Sequence, residues 1–537
     1  MAGTSFQLRW GGSTVLSLAG LFLLVSQTAV GLAQEDADGT QAKRPNIVFV
    51  LTDDHRYDVM GFLGHPFLET PHMDRLAREG VHFEKAMVTT SLCSPSRASI
   101  LTGLYAHNHG VIDNYNPIDE DLTFFPEYLQ QAGYETAFIG KWHMGDSDEK
   151  QPGFDHWIAF RGQGVYYADG HGTSREVPQA DNTGYNINGE QVSQTKYITD
   201  ELTDFSIDWL KGRSSERPFF LYLSHKGVHS DFVPADRHRG RYSNVHHRLP
   251  DRGPYEGNPK WVFDQENSRH GEGFAYNLAD FDLNAYYVRY CEAVCGVDEN
   301  LGRLIEHLES AGQLDNTLLV YMGDNGFQFG DHGLIDKRTA YEASIRVPLL
   351  MRYPQAIPAG TTVRETVANI DIAPTLLEAV GITNVGEFDG QSFWTLAKGE
   401  PLSEPWRDAV LYEYFWEWNY PQTPTMHAVV GDRWKFIRYH GIWDTDELYD
   451  LENDPQESRN LIADPAQQER VAEMKRRVFE LLNDSGGSSL PLQLDRGRAF
   501  PWRKPNGPKQ GVFPKRFDVP SEPKDFPAWA RGTDTEE

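Results

Sequence analysis

Four apolar runs constrain this chain most: Asn46–Leu51 (NIVFVL), Thr136–Gly140 (TAFIG), Pro218–Leu223 (PFFLYL) and Thr317–Tyr321 (TLLVY). A strand with one wet face alternates polar and apolar residues. A continuous apolar run must be covered on both faces, as in the interior of a parallel sheet. Parallel neighbours need long, usually helical, crossovers. The text between the last two runs supplies one. There Tyr290, Val294, Val297, Leu301, Leu304 and Leu308 recur at gaps of four and three, giving a single apolar helix face. The fold class expected is α/β: a large mixed, mostly parallel sheet flanked by helices.

A smaller unit follows. The helical text IAPTLLEAVGI ends near Gly381 and a Gly/Pro-rich stretch succeeds it. Ala409–Tyr414, Ala428–Val430 and Lys435–Tyr439 read as short antiparallel strands, Glu447–Leu451 follows, and Gln467–Leu482 reads as an amphipathic helix. The organisation predicted is a main domain over 45–398, a small α+β unit over 399–489 and an extended Pro/Lys/Arg-rich tail over 490–537. At the other end, Arg9 precedes an apolar run, Val15–Val25, then Gly31 and Ala33 spaced as a cleavage site. This reads as a signal peptide over 1–33 with a polar linker over 34–44, so a periplasmic or secreted protein without a membrane anchor is expected.

Composition excludes several classes. Hydrophobic residues make up 39% of the 537, enough to rule out global disorder. The net charge of −28 argues against nucleic acid as a partner. An anionic substrate would need a local cluster of cations or a metal ion. Three cysteines exclude a disulfide scaffold. Cys291 and Cys295 are one helical turn apart. Their Cβ atoms would lie about 5–6 Å apart, where a disulfide needs about 3.5–4.5 Å.

Chemistry begins where the strands end. Leu51 leads to Asp53-Asp54-His55, Gly140 to Lys141-Trp142-His143, Leu223 to Ser224-His225-Lys226-Gly227-Val228-His229, and Tyr321 to Asp324-Asn325. Singly, each has an ordinary use as a turn, cap or surface residue. Together they lie at the carboxyl ends of strands in one sheet, where such folds bind ligands. Asp53, Asp54, Asp324 and Asn325 form a hard oxygen donor set suited to Ca²⁺ or Mg²⁺, whereas zinc prefers imidazole or thiolate. A fifth segment is Cys93-Ser94-Pro95-Ser96-Arg97. Proline suits a first helical turn, which puts Cys93 at a helix N-terminus, where an anion or developing negative charge is favoured. A buried structural cysteine is the alternative.

Cys93-Ser94-Pro95-Ser96-Arg97, continued by Ala98-Ser99-Ile100-Leu101-Thr102-Gly103, resembles the Cys-x-Pro-Ser-Arg signature of the type I sulfatases. All five segments occur in that family's order, and the resemblance runs from about Asn46 to about Leu461. It implies an alkaline-phosphatase-like sulfatase fold and a sulfuric ester hydrolase. It also implies that a formylglycine-generating enzyme oxidises Cys93 to formylglycine, whose hydrate is the nucleophile. Asp53, Asp54, Asp324, Asn325 and residue 93 would bind Ca²⁺, and Arg97 would hold the hydrate. Lys141 and Lys337 would contact sulfate oxygens, and His143 would assist turnover of the covalent intermediate. His229 would be the acid for the leaving alcohol, with His225 as its rival. The chemistry of the residues agrees: cations stabilise charge developing on sulfate, and a histidine can protonate the leaving oxygen.

Pro152-Gly153-Phe154-Asp155, Arg161-Gly162-Gln163-Gly164-Val165-Tyr166, Ser224-His225-Lys226 and Gly330-Asp331-His332-Gly333-Leu334 resemble the carbohydrate branch of the family, nearest to N-acetylglucosamine-6-sulfatases. The resemblance implies an exo-acting enzyme whose substrate is a sulfated oligosaccharide or polysaccharide. The best reading is 6-O-sulfated N-acetylglucosamine, with an algal polysaccharide such as ulvan as an alternative. His332 and Arg338 either touch the sugar or position Lys337. The aromatic segment Phe415–Tyr420 either stacks on a ring or packs an interface. A phosphonate or phosphate ester hydrolase of the same superfamily is the rival enzyme. A catalytically dead glycan-binding member is the rival of another class.

Overall fold

The four apolar runs become four adjacent parallel strands. A computed structural model describes residues 44–171, 184–213, 216–245, 247–249, 253–265, 281–417, 420–441 and 446–488. Among these, a ten-stranded sheet runs in the order Thr361–Val363, Val81–Phe83, Leu349–Arg352, Thr317–Gly323, Asn46–Thr52, Phe219–Ser224, Glu135–Lys141, His156–Phe160, Gly184–Ile187, Glu190–Ser193. The strands from Thr317–Gly323 through His156–Phe160 are mutually parallel, and antiparallel pairings appear toward both edges.

Continuous apolar text corresponds to two buried faces. Ile47, Phe49, Leu51, Phe220 and Tyr222 belong to one core, while the alternating Val48, Val50, Leu221 and Leu223 belong to the other. The second core includes the long helix Leu283–Ser310, whose start is capped by the Asp282 carboxylate accepting from the Asn284 and Ala285 amides. All six apolar positions of its predicted face are buried. Cys291 and Cys295 lie on the same helix as buried free thiols.

Register brings the strand ends level. Leu51 pairs with Ser224 on one side and Met322 on the other, Thr52 pairs with Gly323, and Gly140 pairs with Ser224. Gly140 is required there. Its φ is +129°, and a Cβ at that position would lie 1.8 Å from the Ser224 carbonyl oxygen. Lys141 follows directly.

The second unit is a four-stranded antiparallel sheet of Ala409–Tyr414, Met426–Gly431, Trp434–Tyr439 and Glu447–Asp450. Helix Gln468–Asp484 buries Met474, Val478 and Leu482 in one cluster with Leu411, Val429, Phe436 and Leu448. The predicted signal peptide, the linker up to residue 43, the tail from 490, and Trp418 and Asn419 lie outside the described residues. No helix among the described residues is long and apolar enough to cross a membrane.

Candidate active site

The strand ends are tied to one another before any side chain acts. The Asp53 amide donates to the Gly227 carbonyl at 3.0 Å, Val228 donates to Asp53 at 2.7 Å, and Asp324 donates to Thr52 at 2.8 Å. Asp54, at φ +55°, donates its amide to Asp324 Oδ1 at 3.0 Å. Ligand oxygens of Asp53, Asp54 and Asp324 thereby come within 4.8 Å of one another, all buried. Asn325 joins them, its Nδ2 donating to Asp54 Oδ1 at 2.6 Å.

The donor set fits a hard cation. Asp54 Oδ2 and Asn325 Oδ1 are buried without a hydrogen-bond partner, an expensive state for two acceptors unless a cation faces them. The electrostatics agree. Burial pushes Asp54 up to about 7 despite Lys337, and neighbouring Asp53 and Asp324 add to the rise. Burial and Asp53 also raise Asp324, against the pull of Arg97. Burial alone would raise Asp53 too, but Lys141, His229 and Arg97 outweigh it and hold this carboxyl well below its usual range.

Cys93 opens helix Cys93–Thr102, all of whose residues are buried. Leu92 before it is extended, and Pro95 sits in the first turn, as the sequence suggested. The thiol donates to Asp53 Oδ1 at 3.3 Å, and Lys337 Nζ approaches Sγ at 3.1 Å. Burial, with Asp53 beside it, pushes the thiol up to about 12. An unmodified Cys93 is therefore a protonated, weak nucleophile.

Arg97 Nε donates to Asp324 Oδ2 at 2.9 Å, and its NH1 donates to the Lys141 carbonyl at 2.7 Å and Ser224 Oγ at 2.6 Å. Lys141 Nζ bonds Asp53 and also donates to Gln163 Oε1 at 2.6 Å. Lys337 Nζ bonds Asp54. The residues either side of Lys337 are both left-handed, Asp336 at φ +116° and Arg338 at φ +77°, a costly backbone for non-glycine residues.

A cavity of about 280 Å³ opens over this cluster. Asp54, His143, His229 and Lys337 line it, joined by Asn114, Tyr115, Asp146, Gln163, Ser230, Asp336, Arg338 and Tyr420. Of the two rival histidines, His229 lines the cavity. His225 is buried behind it, its amide bonded to the Leu51 carbonyl and its Nδ1 without a partner. His229 Nδ1 donates to the Ser230 carbonyl at 2.6 Å. Burial lowers His229 well below the ordinary histidine value, Asp53 opposes this, and Lys141, Lys226 and Lys337 reinforce it.

His332, read from sequence as touching the sugar or positioning Lys337, does not line the cavity. At φ +56° its ring turns away, stacks on Tyr341 at 3.5 Å and is 1% exposed, outside the cavity. Arg338 does line the cavity, with its guanidinium bonded to Asp336 and Glu417, each at 2.6 Å, and lying 3.7 Å over the Tyr420 ring. Tyr420 thus connects the aromatic segment to the site. Asn114, Asp146 and Ser230 carry no sequence pattern that marks them, and Glu417 lies within the Phe415–Tyr420 segment. Gln163 lies in the Arg161–Tyr166 segment already singled out.

The sulfatase family pattern matches residues 45–382, and a second, described as N-sulphoglucosamine sulphohydrolase, C-terminal, matches residues 330–484. The chain is 32% identical to an N-acetylglucosamine-6-O-sulfatase of Bacteroides thetaiotaomicron, over 86% of this chain and 90% of that protein. It is 29% identical to the N-acetylglucosamine-6-sulfatase of Homo sapiens, over 88% and 91% of the two. A solved structure of a protein in complex with its substrate D-glucosamine-2-N,6-O-disulfate superposes with a TM-score of 0.74 at 31% identity, covering 84% of this chain and 99% of that one. With the family pattern spanning more than half its length, the chain belongs to the type I sulfatase family and is a sulfuric ester hydrolase.

Proposed function

We propose that the protein removes sulfate from a carbohydrate ester, with a terminal 6-O-sulfated N-acetylglucosamine as the substrate class. The observation that carries this reading is the meeting, at one cavity, of the buried oxygen cluster, position 93 and Lys337. The names of the similar proteins direct the choice of sugar. Export to the periplasm or medium is part of the same proposal.

Asp53, Asp54, Asp324, Asn325 and residue 93 would hold the divalent cation, Ca²⁺ by resemblance, though oxygen ligands also permit Mg²⁺. A cation there supplies fixed positive charge against the sulfate oxygens and the nucleophile. A formylglycine hydrate at position 93, if installed by a maturation enzyme, would supply a nucleophilic hydroxyl and a second hydroxyl for release of sulfate. The chain's own residues do the rest. Arg97 holds Asp324 and, in this proposal, the modified residue. Lys337 lines the cavity and Lys141 lies behind Gln163, and both place charge where the transition state becomes more negative. His143 lines the cavity as a ring that would take up a proton during turnover. His229 Nδ1 is committed to the Ser230 carbonyl, so Nε2 delivers a proton to the leaving alcohol only from the imidazolium. An anionic ester in the cavity offsets the lysines that depress His229, and so favours that protonated form.

The test uses protein co-expressed with a formylglycine-generating enzyme. Sulfate release from 6-O-sulfo-N-acetylglucosamine is measured beside aryl sulfate and aryl phosphonate, and the mass of the Cys93 peptide is recorded. Release from the sugar, lost in Cys93→Ala, supports the reading. Preferential turnover of the phosphonate would transfer the protein to the rival enzyme class. Glycan binding without release, with residue 93 modified, would make it a binding member.

A further inference from the structure

We propose that Ser94 is a positioning residue that sets the tautomer of His143, placing its ring proton on Nδ1 and leaving Nε2 as a proton acceptor. The argument is a count of hydrogens. A serine hydroxyl has one hydrogen and two lone pairs, and a neutral imidazole has one N–H. The closest partner of Ser94 Oγ is the main-chain carbonyl of His143, which can only accept, so the hydroxyl hydrogen goes there. Oγ also lies 3.3 Å from His143 Nδ1. With its hydrogen committed, Oγ serves that contact as acceptor, and Nδ1 must be the donor. The remaining nitrogen, Nε2, is then unprotonated in the neutral ring of a histidine that lines the cavity.

Independent features hold the arrangement. Ser94 is fully buried in the first turn of helix Cys93–Thr102, and its amide donates to Asn114 Oδ1 at 3.0 Å. His143 is left-handed at φ +63°, a conformation a non-glycine residue adopts only when its surroundings fix it. The Ser94-to-carbonyl bond is one such restraint. Burial and Lys141, helped by Arg97 and Lys337, lower His143 well below the ordinary histidine value against the opposing pull of Asp53, which favours the neutral ring. His229 differs in what holds it. A main-chain carbonyl fixes its Nδ1, whereas for His143 the partner is a side chain that substitution removes. Position 94 is the residue that the Cys-x-Pro-Ser-Arg signature leaves open.

The catalytic consequence rests on the function proposed above, but the tautomer does not. The experiment is a long-range ¹H–¹⁵N spectrum of protein labelled at histidine. The His143 signals are assigned by their loss in His143→Gln, and modification at residue 93 is checked by mass. The native protein is expected to show protonated Nδ1 and bare Nε2 at His143. Ser94→Ala should lose that pattern and Ser94→Thr should restore it. In turnover, Ser94→Ala should lower kcat tenfold or more with KM within about twofold, and Ser94→Thr should recover most of kcat. A native His143 carrying its proton on Nε2 overturns the proposal without any variant. Retention of the Nδ1 proton in a folded Ser94→Ala overturns it whatever the rate. Absence of turnover on every sulfate ester leaves the spectra to decide, so the failure of the enzyme reading and of this one remain separate.

Discussion

At the scale of single residues, the site sets three buried carboxyls against Lys141, Lys337 and Arg97, a donor set that fits a hard cation. Two buried acceptors, on Asp54 and Asn325, lack partners, and two of three clustered carboxyls are pushed upward. A ligand that binds only the folded state stabilises it by about 2.7 kcal/mol at a hundred times its Kd. Ca²⁺ should therefore raise the Tm, chelator should reverse the gain, and Asp324→Ala should abolish the response, as scanning calorimetry would show. Cys93→Ala should lower kcat by about three orders of magnitude or more, because the weak thiol and its modified form are both gone; residual sulfate release by ion chromatography checks this. Much of this was legible. Asp53, Asp54, Asp324 and Asn325 follow apolar runs directly, so strand geometry fixes where they point. The parts played by Ser94 and Asn114 escaped because one fills an open signature position and the other arrives on a loop, while Gln163 was marked only as a member of the Arg161–Tyr166 segment. The direction of His332 was not legible, because closeness to Lys337 in sequence says nothing about where a ring points, and its left-handed backbone turns it onto Tyr341.

At the scale of elements, the central strands were readable because burial on both sides removes alternation. The outer strands were not. Val81–Phe83 and Thr361–Val363 are three residues long, and Glu190–Ser193 is exposed throughout, so none leaves a periodic trace. Contacts between elements are also invisible in sequence. His107, in the short helix Ala106–His109, meets Glu413 of strand Ala409–Tyr414 at 2.6 Å. Burial would raise Glu413, but the bond to His107 and the nearby His427 ring, 3.4 Å away, prevail and hold it at about 2, while Glu413 raises His107 against the effect of its own burial. The signs then fix a pH window. The carboxylate's contribution is complete above its unfolded value of 4.5 and is lost as pH falls through about 2. The imidazolium's contribution is complete below 6.5 and fades as pH rises through the elevated folded value. The stability difference between the native protein and His107→Ala should thus be largest between about pH 4.5 and 6.5, roughly 3 kcal/mol for a broken buried pair. It should shrink as pH rises above about 6.5 in denaturant titrations.

At the scale of the molecule, the small sheet acts as a buttress for the loop that carries Lys337. Lys435 on strand Trp434–Tyr439 bonds Glu342 and Glu457, each at 2.7 Å, and Tyr341 donates to Glu447 at 3.0 Å. Lys435→Met leaves two buried carboxyls facing each other and should cost about 3–5 kcal/mol. Urea unfolding would measure the cost, with circular dichroism of the native state as the control for fold. That buttress was visible in sequence only as a separate unit, since charge pairs between distant segments have no periodicity. A consequence in time follows from Arg97. Its bonds reach partners 44, 127 and 227 positions away along the chain, so one side chain keys three strand ends. Contacts of such separation form only after the intervening chain has been gathered. In a refolding experiment, tryptophan fluorescence should therefore recover ahead of sulfate release, and catalysis should return last and all at once, as a lock turns only when every pin is level.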